Sequence, residues 1–92
     1  MQNNKVLLTG ITGFLGSHTA IQLLDKGYQV KGTLRDLNRS DSIKNVIGSH
    51  TKNIENLSFF EIDLMDSLNK WIEVMQGIDY IIHIASRISL HR

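Results

Sequence analysis

Three glycines, an arginine and an aspartate carry the chemistry open to this sequence. Gly10, Gly13 and Gly16 recur at every third position in Thr9-Gly10-Ile11-Thr12-Gly13-Phe14-Leu15-Gly16. The octet follows the apolar run Val6-Leu7-Leu8 and precedes a helical pattern. In a strand–turn–helix setting, Gly10 permits a sharp turn off the strand, Gly13 lets a pyrophosphate approach bare backbone, and Gly16 lets the helix pack closely on the sheet. The helix N-terminus then aims unpaired N–H groups and the positive end of its dipole at the phosphates. A purely structural turn is the competing reading of the glycines alone. The strand before and the helix after favour a dinucleotide site. No Gly-Lys-Ser/Thr follows, which argues against a mononucleotide phosphate loop.

Arg35 is the second anchor. It lies 25 residues after Gly10, at the end of a second apolar run. In a dinucleotide fold this position meets the adenosine ribose. An acid there bonds the 2′-hydroxyl and favours NAD; an arginine pairs with a 2′-phosphate and favours NADP. Lys31, Arg35, Arg39, Lys44 and Lys52 outnumber Asp36 and Asp41 over residues 31–52, which suits a phosphate pocket. A solvated basic loop is the bland alternative, and an Asp36 turned toward the ribose would restore NAD.

Composition bounds the rest. The 92 residues allow one small domain, with 41% hydrophobic and 21% charged residues. A net charge of +1 gives no global attraction to nucleic acid or anionic membrane. Without cysteine there are no disulfides and no thiolate chemistry. No apolar run approaches a membrane span, and the first residues lack an apolar signal core, so a cytoplasmic protein is expected. No metal site is expected. His18 shares its helix face with no second ligand, and His50 sits in a polar stretch.

The elements that must position these residues alternate along the chain. Strands are predicted over residues 5–9, 28–34, 57–64 and 80–85. Helices are predicted over 14–26, from Ser40 or Asp41 to about Ile47, and from Asp66 or Ser67 to Gly77. Ile43, Val46 and Ile47 should face inward on the second helix, and Leu68, Trp71, Ile72 and Met75 on the third. Alternation of this kind predicts an α/β, Rossmann-like parallel sheet with right-handed crossovers and strand order 3-2-1-4. A full fold of this class has six strands. We therefore expect a truncated piece, the N-terminal part (1–92) of a dinucleotide-binding domain, with an exposed Ile-rich fourth strand prone to self-association.

Together these residues resemble the extended short-chain dehydrogenases/reductases, of the epimerase/dehydratase superfamily. The glycine octet, Leu34-Arg35-Asp36, Asp63-Leu64 and His83-Ile84-Ala85-Ser86 are similar to the branch of dihydroflavonol, cinnamoyl-CoA and yeast-type aldehyde/ketone reductases. The resemblance implies that backbone around Gly10, Thr12, Gly13, Phe14 and Leu15 holds the pyrophosphate. It implies that Arg35 binds the 2′-phosphate with help from Lys44 or Arg39. Asp63 would accept from the adenine amino group, and Leu64 would contact the ring through its backbone. Ile84, Ala85 and Ser86 would lie along the ribose and pyrophosphate. Without the resemblance, Asp63 reads as a strand-end cap and His83 as a buried structural residue.

Two departures matter. Arg87 stands where the branch carries a proline after its His-x-Ala-Ser segment. The family's Tyr-x-x-x-Lys pair is also missing: neither Tyr28 nor Tyr80 has a lysine four residues on. No residue can then serve as the general acid in that manner, and no catalytic residue is expected. The resulting expectation is the NADP(H)-binding part of a carbonyl reductase, inactive by itself. An NAD-dependent sugar-nucleotide epimerase/dehydratase fragment and a non-catalytic binding or assembly module are the alternatives.

Overall fold

Val6, Leu7 and Leu8 are β-branched or large apolar residues without a polar interruption, and all three are buried. A strand can bury consecutive side chains only if both its faces are covered, as in a parallel sheet flanked by helices. The computed structural model, which describes residues 4–63 and 65–84, has this arrangement. Strand β1 (Lys5–Thr9) leads to helix α1 (Phe14–Asp25), β2 (Gln29–Leu34), a 3-10 turn (Leu37–Arg39) and α2 (Ser40–Gly48). A second 3-10 turn (Ile54–Asn56) precedes β3 (Leu57–Glu61), α3 (Leu68–Val74) and β4 (Tyr80–His83). All pairings are parallel and the order is β3-β2-β1-β4, as the alternation predicted.

The two faces of β1 build two cores. Leu8 packs with Ala20 and Leu24 of α1, Ile43 and Ile47 of α2, and Val30, Leu34 and Leu57 of the neighbouring strands. Leu7 points the other way, toward Ile62 and Val74, with Phe60, Trp71 and Ile78 against them. Fully burying a leucine contributes about 1.5–3 kcal/mol, so this pair fixes β1 as the centre of the sheet. All strands run the same way, so β1, β2 and β4 end together at one edge. That carboxyl edge is where open α/β sheets take ligands.

Several expected details differ. The third strand ends at Glu61 rather than at residue 64, although Ile62 N still donates to the Leu34 carbonyl at 3.0 Å. Neither Ser40 nor Asp41 caps α2. The preceding 3-10 turn runs directly into the helix, so Ser40 already has helical angles and Arg39 holds the cap position without a side-chain bond. Val46 is exposed, because α2 touches the core only along the Ile43–Ile47 stripe.

Helix α3 is turned further than its periodicity suggested. Ser67 caps it, its hydroxyl accepting from Lys70 N at 3.3 Å. Val74 is fully buried and Trp71 half-buried, whereas Leu68, Ile72 and Met75 are exposed. At 100° per residue, the expected stripe and the buried one differ by roughly 90°. The fit of Trp71 and Val74 over Leu7 and Ile62 selects the rotation.

Candidate dinucleotide-binding site

The carboxyl edge of the sheet opens into a cleft of about 590 Å³. The glycine turn forms one wall and is tied down on both sides. Gly10 N donates to Thr33 Oγ1 at 3.3 Å, and Ile11 N donates to the Thr33 carbonyl at 3.3 Å. Ile11 is fully buried and wedges against Gly32, where a Cβ would collide with its side chain. On the other side, Ile84 N donates to the Thr9 carbonyl at 3.1 Å. Thr9 Oγ1 and His83 Nδ1 hydrogen-bond at 2.5 Å.

The glycines are required for different physical reasons. Gly10 has φ +79°, and a Cβ there would lie 2.5 Å from the Ile84 carbonyl oxygen, which is backbone and cannot swing away. Gly13 has φ +92° and caps α1 without any side-chain bond; a Cβ there would meet nothing within 4 Å. The Gly13 position is therefore an open cradle facing bare helix N–H groups, the setting in which a phosphate is held. A Cβ on Gly16 would collide with the carbonyls of Gly10 and Ile11, so the glycine permits a close approach of α1 to the turn.

The opposite wall is basic at its rim. Arg35 and Arg39 both line the cleft and are exposed. The single ion pair among the described residues, Lys70–Asp66 at 3.5 Å, involves neither. Asp36 also lines the cleft, but its Oδ1 accepts from Asn38 N at 3.0 Å and caps the 3-10 turn. Ile62 and Trp71 form the apolar side, with Asp63 beside them. Asp63 Oδ1 accepts from Met65 N at 3.2 Å, and Asp63 N donates to Asp66 Oδ2 at 2.6 Å. The carboxylate thus organises its own turn while its residue faces the cleft.

Of the residues singled out by sequence, Gly10, Thr12, Arg35, Asp63 and Ile84 line this cleft together. Gly13, Phe14 and Leu15 stand exposed at the start of α1 and outside the cleft walls. Lys44 is exposed on α2 and also outside those walls, whereas Arg39 lies within them. Leu64, Ala85 and Ser86 fall outside the described residues. His83, read as a buried sheet residue, is instead exposed at the strand end and lines the cleft. It is the last residue of β4, and no further strand covers it among the described residues.

Residues 7–92 match the family model described as GDP-mannose 4,6 dehydratase. The chain belongs to this family, within the extended short-chain dehydrogenases/reductases that its motifs resemble. It is 37% identical over 83 residues to an oxidoreductase of Schizosaccharomyces pombe, a match covering 90% of this chain and 24% of that protein. It is 31% identical over 85 residues to the bifunctional dihydroflavonol 4-reductase/flavanone 4-reductase of Pyrus communis, covering 92% of this chain and 24% of that one. The structure of Gre2 from Candida albicans in complex with NADPH superposes with a TM-score of 0.73 at 28% identity, covering 97% of this chain and 26% of Gre2. The chain therefore spans about a quarter of the length of the family members it matches.

Thr9, Thr33, Ile62 and Trp71 escaped the sequence reading of this family member. Thr33 had a legible signal: a hydroxyl on the strand face opposite the apolar Val30 and Leu34, two residues before the basic anchor. Trp71 read simply as core, whereas it is half-buried and lines the cleft.

Proposed function

We propose that this chain is the NADP(H)-binding segment of an NADPH-dependent carbonyl reductase of the aldehyde/ketone, dihydroflavonol-like branch. The carrying observation is the basic rim. Arg35 and Arg39 share one cleft with the glycine turn, while the nearby acid, Asp36, has its carboxylate engaged in a cap. The residues fit the cofactor at three points. The open cradle at Gly13 and the uncapped α1 would take the pyrophosphate, the arginines the 2′-phosphate, and Asp63 with Ile62 the adenine. NADPH, when bound, supplies the hydride for a small carbonyl substrate; these residues bind and orient it. The NADPH complex of the similar Gre2 supports the cofactor assignment. We place the protein in the cytoplasm and expect no turnover from this segment alone.

The test is titration of the chain with NADPH and NADH, with Arg35→Ala as control. Tighter binding of NADPH, lost in the variant, is the expected result. Equal affinities unchanged by the substitution would sink the NADP reading.

A second reading rests on the description of the matched family model: an NAD-dependent sugar-nucleotide epimerase/dehydratase segment. Preference for NADH in the same titration would favour it. A third, an assembly module, rests on β4. Among the described residues the strand has one neighbour, and Tyr80 and Ile81 on its two faces are more than half exposed. We propose that two copies pair along this edge. Light scattering of the chain and of Ile81→Lys checks this: a monomer in both excludes it.

A further inference from the structure

The acidic residue that follows β2 has two jobs open to it, and its hydrogen bonds decide between them. An acid at this end of the second strand serves the ribose 2′-hydroxyl in NAD-binding folds. Asp36 lies at that position and lines the cleft beside Arg35. Its Oδ1 nevertheless accepts from Asn38 N at 3.0 Å, and its carbonyl accepts from Arg39 N at 3.0 Å. Its backbone is extended, at φ −136° and ψ 104°, which is the geometry of a capping residue. Behind it, Leu37–Arg39 makes a single 3-10 turn. A turn of this length has almost no internal hydrogen bonding, so its cap is a large part of what holds it. The turn brings Arg39 back to the cleft that Arg35 lines. The Arg39 carbonyl then accepts from Ser42 Oγ at 3.1 Å, joining the turn to α2.

We infer that Asp36 is a specificity-positioning residue: by capping the Leu37–Arg39 turn, its carboxylate sets Arg39 beside Arg35 as the second cation for a 2′-phosphate, and is itself withheld from the ribose. The inference rests on the dinucleotide reading above. It gives the acid a role opposite to the one its position suggests. It also opposes a charge-only view, in which a carboxylate beside two arginines merely weakens the site by repelling the phosphate and by neutralising the cations.

The test is the ratio of dissociation constants, NADH over NADPH, for the whole chain and three variants. Asp36→Asn keeps a capping oxygen and removes the charge. Asp36→Glu keeps the charge on a side chain too long to cap well. Asp36→Ala removes both. The expected result is a ratio that holds or rises in Asp36→Asn. In Asp36→Glu and Asp36→Ala it falls roughly three- to tenfold, as loss of a cap predicts, through NADPH alone with NADH unchanged. A ratio that rises in Asp36→Ala overturns the inference in favour of simple repulsion. Unchanged ratios in both Glu and Ala variants overturn it as well. Should the Ala variant fold poorly, judged by circular dichroism, the Asn–Glu pair carries the same contrast. A parent chain that prefers NADH overturns the inference while leaving a dinucleotide site standing. A parent chain that binds neither cofactor removes the site reading itself, and the inference with it.

Discussion

Thr9 and His83 lie 74 residues apart in sequence and join Oγ1 to Nδ1 at 2.5 Å, tying the ends of β1 and β4 together at the floor of the cleft. With the Ile84 N bond to the Thr9 carbonyl, this side-chain contact sets how far the two strand ends can splay. The pair is part-buried, so its net contribution should be that of one ordinary hydrogen bond. A double-mutant cycle with Thr9→Val and His83→Ala, read by urea unfolding, should give a coupling of about 0.5–1.5 kcal/mol. Additive single effects would mean that the contact does not hold the strand ends.

The basic rim makes a sharper claim. Arg39 lines the cleft and Lys44 does not, although the family resemblance offered both as partners of Arg35. A charge-assisted hydrogen bond to phosphate is worth about 1.5–3 kcal/mol, or roughly ten- to a hundredfold in affinity. Arg39→Ala should weaken NADPH binding within that range and leave NADH alone. Lys44→Ala should change either affinity by less than about threefold, the size expected of a screened surface charge. A larger loss from Lys44→Ala than from Arg39→Ala would reverse the assignment.

Gly10 and Gly13 should separate stability from binding. Both have positive φ, and Gly13 at φ +92°, ψ 171° lies in a region used almost only by glycine, so an alanine at either adds backbone strain on the order of 1–3 kcal/mol. At Gly10 the new methyl also meets the Ile84 carbonyl at 2.5 Å, and strand ends must move. Gly10→Ala should therefore lower stability by more than Gly13→Ala, by at least about 1 kcal/mol beyond the shared strain. Gly13→Ala meets open space in the empty protein, but its methyl occupies the proposed pyrophosphate cradle. Thermal unfolding should rank Gly10→Ala as the less stable, while NADPH titration should show binding lost in Gly13→Ala despite a folded chain. Equal unfolding temperatures would contradict the ranking.

The sheet and its order were legible in sequence because a parallel strand covered on both faces leaves a strong mark: Val6-Leu7-Leu8 are apolar and buried at successive positions. The turn was legible because its three glycines answer backbone constraints that other residues violate. Helix α3 was not. Leu68, Ile72 and Met75 form as good an apolar stripe as Trp71 and Val74, and periodicity has no means of choosing between two stripes on one helix. Asp36 was not legible either, since an acid that caps a turn and an acid that meets a ribose occupy the same place in the chain. Three-dimensional fit decides in both cases. For α3 it can be checked directly. Val74→Ala removes a fully buried side chain and should cost about 2 kcal/mol, whereas Ile72→Ser should fall within about 0.5 kcal/mol of the parent. The opposite order in urea unfolding would restore the sequence-based stripe.

Trp71 offers a direct view of the cleft. It is the only tryptophan in the chain, it is half-buried against Ile62 and Val74, and it lines the cleft beside Ile62 and Asp63. An indole at that place changes its surroundings when the cleft fills, and its emission overlaps the absorption of a reduced nicotinamide. Titration with NADPH should therefore quench Trp71 emission and saturate at the affinity found by calorimetry. Adenosine 2′,5′-bisphosphate carries the adenine and the 2′-phosphate without the nicotinamide, so it should alter the emission only through local contact and by less. Trp71→Phe should abolish the signal yet keep an aromatic ring against Ile62, leaving calorimetric affinity within about threefold, a difference below 1 kcal/mol. Emission that ignores saturating NADPH while calorimetry records binding would place the cofactor away from this wall. The dinucleotide would then have to lie along the arginine rim without reaching Ile62 and Asp63.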